Sequence, residues 1–172
     1  TDARDGMPDV DWMGYLGPNL RIFLNGHERQ EHLLFVDLPV YGVFSSDFSY
    51  IEYSGWSTTP KFGYKWEKHG KVRTIFQTSV SANYSSASVN DVIYGVSDQY
   101  ATANRPEFYS PSGYTGWRTS IGVSRKHKEV WYGLFIKGYQ LDGSVIDDSP
   151  LVTDESSWVA GFAFAWIFAS SD

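Results

Sequence analysis

Four histidines, His27, His32, His69 and His127, are the first residues here whose type could do chemistry. Histidine ligates metals and moves protons near neutral pH. Three of the four fall in or beside short polar turns, and His32 stands at the start of an apolar run. Their spacing makes no metal motif such as H-E-x-x-H. Serine is so frequent that no Ser–His–acid set can be singled out. The absence of cysteine removes disulfides and thiolate-ligated metal sites. The sequence therefore reads as non-enzymatic, with no catalytic residue, no metal site and no cofactor expected.

Charged residues make two further groupings. Asp147, Asp148, Asp154 and Glu155 crowd one segment. They suit a divalent cation or a basic partner, or form a plain solvated loop. Arg21, Lys61, Lys65, Arg73, Arg118 and Lys137 recur on one side of alternating stretches, with Asp37 among them. If that side is enclosed, a basic interior favours anionic solutes. The other reading is that these cations pair with carboxylates from strands outside the 172 residues. Net charge is −6 and the pI is near 5.1, which argues against nucleic acid as a partner.

The elements that position these side chains are strands. In "TIFQTSVSANYSS" (74–86), Phe76, Thr78, Val80, Ala82 and Tyr84 alternate with Gln77, Ser79, Ser81, Asn83 and Ser85, the period-two pattern of a β-strand. Six more stretches do the same: 12–25, 33–46, 51–66, 114–125, 130–141 and 157–168. Leu34, Val36, Leu38 and Val40 oppose Asp37 and Tyr41, and Phe62, Tyr64 and Trp66 oppose Lys61 and Lys65. Trp158, Phe162, Phe164, Trp166 and Phe168 oppose Gly161, Ala163 and Ala165. No helical periodicity competes. Stretches this long exceed the usual strand of about 5–6 residues.

Two placements of the apolar face are possible. A soluble sandwich turns it inward; an outer-membrane barrel turns it to lipid and keeps the polar face inside. Aromatic residues make up 17% of the chain, including seven Trp. Trp56 and Trp66 share a face, as do Trp158 and Trp166. Their separations span roughly 20–25 Å along a tilted strand, which matches an apolar band with aromatic girdles. "NGHERQE" (25–31), "EKHGK" (67–71) and "KHKE" (126–129) are short turns, whereas 87–113 and 142–156 are long. That alternation is a barrel habit. The segment 97–114 either folds into the lumen or touches a partner, or is an exposed loop. The expected fold is all-β, an antiparallel transmembrane β-barrel. Arg21, Asp37, Lys61, Arg73, Gln77, Asn83, Arg118 and Lys137 line its interior, and Trp56, Trp66, Trp117, Trp158, Trp166 and Phe168 form its lipid-facing girdles.

"RDGMPDVDW" (4–12), "LGPNLRIFL" (16–24), "DLPVYGVFSSD" (37–47), "GWSTTPKFGYKW" (55–66), "VIYGVS" (92–97) and "DDSPLVTDESSW" (147–158) together resemble the MipA/OmpV family. So does the closing strand "WVAGFAFAWIF", in which Phe168 takes the place of the terminal aromatic and "ASSD" follows. The resemblance covers nearly all of this chain and about the last two thirds of the family. It implies residues 1–172 of one outer-membrane barrel domain, lacking its first strands. With both termini periplasmic, 1–11, 87–113 and 142–156 are outside loops. Seven strands cannot close an even-stranded barrel, so five more would make twelve, or an extra strand lies near "DVIYGVS". The implied role is a scaffold joining a murein transglycosylase to a murein synthase in the outer membrane, among lipid and lipopolysaccharide. The alternatives are a narrow pore, a solute-binding barrel or an adhesin; a soluble carbohydrate-binding sandwich is a further reading.

Overall fold

The computed structural model describes residues 2–26, 30–47, 49–166 and 168. Its dominant feature is one antiparallel sheet of nine strands. These are β1 (Trp12–Leu16), β2 (Asn19–Phe23), β3 (His32–Ser46), β4 (Ile51–Thr58), β5 (Lys61–Lys68), β6 (Arg73–Ser85), β7 (Gly113–His127), β8 (Val130–Gln140) and β9 (Ser156–Trp166).

The nine strands fill seven positions, because proline interrupts two of the seven alternating stretches. Pro18 and Pro60 have no N–H to give the ladder, so 12–25 divides into β1 and β2 and 51–66 into β4 and β5. Neither break moves the chain out of line. The Pro18 carbonyl accepts from Val40 N at 3.0 Å, and the Pro60 carbonyl accepts from Ala82 N at 3.2 Å. Hence β1 and β2 both pair with β3, and β4 and β5 both lie between β3 and β6. The sheet then runs on through β7, β8 and β9. Its end positions, β1/β2 and β9, do not pair with each other among the described residues.

Two irregularities lie at the end of the sheet that carries the long connections. The β3–β4 register shifts between Val43 and Phe44, and the β6–β7 register shifts between Ala82 and Tyr84. Both use a glycine at positive φ, Gly55 at 136° and Gly116 at 112°, a region costly for any residue with a Cβ.

The long β6–β7 connection departs from the sequence reading. It opens with a helix, α1 (Ala87–Tyr94). The stretch "DVIYGVS" is therefore not an extra strand: it finishes α1 and continues to a single bridge between Val96 and Phe108. No helix among the described residues is long and apolar enough to cross a membrane.

Candidate functional site: the polar face and its cap

The two faces of the sheet differ sharply. On one face Ile22, Val36, Phe62, Val80, Thr119, Gly138 and Trp158 are successive register partners. A second row runs Trp66, Phe76, Val123, Leu134, Phe162. This apolar face is the open one: Leu134 is 56% exposed, Phe162 66% and Leu20 59%. Trp56, Trp117, Trp158 and Trp166 lie exposed on it, with Phe168 stacked on Trp166 at 5.5 Å. Trp66 is half-buried on the same face.

The opposite face carries the ionic residues. Arg21, Asp37, Lys61, Ser81, Arg118, Tyr139 and Ser157 are register partners across all seven positions. Asp37, 2% exposed, takes a two-pronged bond from Arg21 (2.6 and 2.9 Å) and an ion pair from Lys61 at 3.0 Å. Glu67, also buried, meets Lys65 and Arg73 at 2.6 Å each, with His69 Nε2 at 3.4 Å. Four of the six cations that the sequence reading placed on this face therefore find carboxylates within the chain itself, where that reading sought them in strands outside it. Glu67 was missed because "EKHGK" reads as a turn, whereas β5 continues to Lys68 and buries that side chain.

Arg118 and Lys137 are held by rings instead. The Arg118 guanidinium lies 4.7 Å from the Tyr139 centroid, and Lys137 Nζ lies 5.0 Å from that of Phe135. Gln77 is exposed on this face. Asn83 sits at the β6–β7 irregularity, and its Oδ1 is buried with no hydrogen-bond partner.

A cap closes over one end of the polar face, built from 2–11, 86–112 and 141–155. α1 rests on the inner side of β4 at Gly55, where a Cβ would collide with Ser86 Oγ and Ser88 Oγ. Asn90, 2% exposed, accepts from Ser85 Oγ and donates to the Pro111 carbonyl at 3.0 Å. Ser149 Oγ donates to the Tyr94 carbonyl at 2.7 Å, and Ser110 Oγ to the Val145 carbonyl at 3.1 Å. Arg4 reaches the Ile93 carbonyl at 2.9 Å, and Arg105 donates to the carbonyls of Ala3, Asp5 and Tyr100. Val89, Val96 and Ile146 form the apolar centre of the cap. Burial pushes the Tyr94 phenol above its usual range, helped by the nearby Tyr15. The segment 97–114 runs through this cap with most of its residues exposed and Ser110 buried, and its last two residues, Gly113 and Tyr114, already belong to β7.

Beneath α1 lies a cavity of about 530 Å³, walled by Tyr15, Tyr41, Ser57, Asn83, Arg118 and Tyr139 of the sheet and by Val89, Ile93 and Tyr94 of the helix. Its walls come from β1, β3, β4, β6, β7 and β8 together, so the sheet curls around its polar face.

The other candidates for chemistry stay apart. His32 Nδ1 lies 2.7 Å from the Tyr64 hydroxyl, His127 is exposed at the end of β7, and His27 lies outside the described residues. Asp147 is half-buried in the cap; Asp148, Asp154 and Glu155 are exposed. Among the described residues no three acidic or histidine side chains gather as a metal site, so the divalent-cation reading of that acidic segment gains no support.

In a comparison with known families, the model described as MltA-interacting protein MipA matches residues 1–168. Searches of curated proteins and of solved structures found no match.

Proposed function

The chain is a member of the MipA family, and on that premise we propose that it is a non-enzymatic outer-membrane β-barrel protein that brings a murein transglycosylase and a murein synthase together. The observation that carries the membrane part of this reading is the inversion of the sheet. Leu20, Leu134 and Phe162 are exposed while Asp37 and Glu67 are buried. A protein stable in water does the reverse, whereas a barrel in lipid turns apolar residues outward and polar ones inward. On this reading Trp56, Trp66, Trp117, Trp158, Trp166 and Phe168 meet lipid and lipopolysaccharide.

The barrel reading also requires both sheet edges to be covered. An unpaired backbone group in hydrocarbon costs several kcal/mol, and among the described residues β1/β2 and β9 stand at the two ends of the strand order. We propose that further strands complete a barrel of about twelve. The scaffold role itself rests on family membership. Its test is an affinity pull-down from solubilised outer membranes with the tagged protein, the bound fraction assayed for murein transglycosylase and synthase activity. Retention of both supports the scaffold; retention of neither overturns it. A narrow pore is the second reading, favoured by the cations on the polar face; single-channel steps in planar bilayers would support it, and a silent bilayer would remove it.

A further inference from the structure

Most of the charge on the polar face is matched. Asp37 serves Arg21 and Lys61, and Glu67 serves Lys65 and Arg73. Arg118 and Lys137 stand apart, since among the described residues neither has a carboxylate partner. They are close neighbours: Arg118 pairs with Tyr139, and Lys137 lies two residues along the same strand and face. The wall formed by β7 and β8 therefore carries two cations with no anion between them.

Arg118 opens into the cavity beneath α1, and Lys137 into a second hollow of about 250 Å³ that it shares with Gln77, Ser120 and Phe135. A guanidinium stacked on a ring keeps its N–H edge in position for a carboxylate. An occupant of this cavity meets the Arg118 cation and the polar side chains of Ser57 and Thr59. Four phenol rings, those of Tyr15, Tyr41, Tyr94 and Tyr139, surround the space. Their faces suit the C–H face of a saturated ring and their hydroxyls suit polar substituents.

We propose that the cavity beneath α1 binds a small hydroxylated organic anion, with its carboxylate on Arg118 and its hydroxyls toward the phenols of Tyr15, Tyr41, Tyr94 and Tyr139. Lys137 adds to the attraction from the adjoining hollow. At about 530 Å³ the cavity lies within the ordinary range of ligand pockets, and a uronic acid is the simplest molecule with every required group. The inference rests on the polar face being the interior of the barrel, but not on the scaffold role.

The test is calorimetric titration of the full protein, folded in detergent micelles, with glucuronate, glucose and acetate. Folding is scored separately by heat-dependent mobility on a denaturing gel, so a failed barrel is told apart from an unoccupied cavity. Glucuronate should bind saturably and at least about tenfold tighter than glucose, which lacks the charge, and acetate, which lacks the hydroxyls. Arg118→Gln should weaken glucuronate about tenfold or more. Asn83→Asp, which keeps the shape but sets an anion beside the ligand, should do the same. Lys61→Gln, at a cation already engaged with Asp37, should leave it within about twofold. The proposal is overturned if folded protein shows no saturable glucuronate binding, if glucose matches glucuronate, or if folded Arg118→Gln binds as well as the parent.

Discussion

The Phe35 ring lies across Gly63, its register partner on the neighbouring strand, and leaves no room there for even a methyl group. Phe135 covers Gly161 in the same way at the other end of the sheet. In each pair an aromatic ring roofs a bare stretch of backbone, a device that pins strand register. Phe35 is buried and carries the Arg21 guanidinium 4.5 Å from its centroid, so it cannot yield cheaply. Gly63→Ala should cost about 1–3 kcal/mol through overpacking. Gly161→Ala makes the same clash, but Phe135 is only half-buried and borders the hollow of about 250 Å³, where it has room to swing, so the change should cost less. Urea midpoints of the folded gel band measure both; equal losses would show that Phe35 is no more constrained than Phe135.

Asp37 predicts an asymmetry between its partners. The carboxylate side chain is 3% exposed, whereas Arg21 and Lys61 are 42% and 34% exposed. Removing the cations strands a buried anion; removing the anion leaves two cations that water can reach. Arg21→Met with Lys61→Met should therefore destabilise by about 3–5 kcal/mol, and Asp37→Asn by clearly less. The same urea series checks the order. A larger loss in Asp37→Asn would mean that the cations, not the carboxylate, bear the desolvation.

The strands were legible because alternation is a local signal that survives without knowledge of the neighbours. Val80 beside Ser79 and Ser81, or Leu134 beside Gly133 and Phe135, identifies a strand and its two faces from the chain alone. The partners across the sheet were not legible. Glu67 stands in a run of Lys, His and Gly that has the composition of a turn, and its pairing with Ile75 and its N–H bond to the Glu31 carbonyl at 2.7 Å keep it in β5. Nor was α1 legible, since eight residues make barely two turns and "ASVNDVIY" shows too little periodicity to rise above β-branched neighbours. The Asn83 cavity depends on a register shift against Thr115 and Gly116, a tertiary event that leaves no local mark.

Lysine substitutions separate the faces. Val80→Lys and Phe164→Lys place a charge on the exposed apolar face; in a bilayer each should cost about 2–4 kcal/mol near the midplane. Gln77→Lys and Ser120→Lys place the same charge on the polar face and should insert almost as the parent does. The measurement is folding into liposomes followed by urea unfolding. Equal costs on the two faces would refute the barrel orientation and favour a sheet that buries its apolar side against another protein.

Asn90 predicts how the cap is attached. Its amide joins the end of β6, through Ser85 Oγ, to the Pro111 carbonyl two residues ahead of β7, so one side chain holds α1 to the strand below it and to the far end of the cap segment. Asn90→Leu keeps the volume and removes both bonds. Each hydrogen bond is worth about 0.5–1.5 kcal/mol net, with a further penalty for a buried carbonyl left unpaired. The strands beneath do not depend on these bonds: β6 and β7 pair over more than ten register positions. The loss should therefore fall on local opening of the cap and not on unfolding of the sheet. Amide exchange in α1 should accelerate by about 10- to 100-fold, and limited proteolysis should cut within 86–112, while amides of β6, β7 and β8 keep their protection. Acceleration spread evenly over α1 and those strands would mean that the cap and the sheet open as one unit, and that the cavity beneath α1 has no separately movable roof.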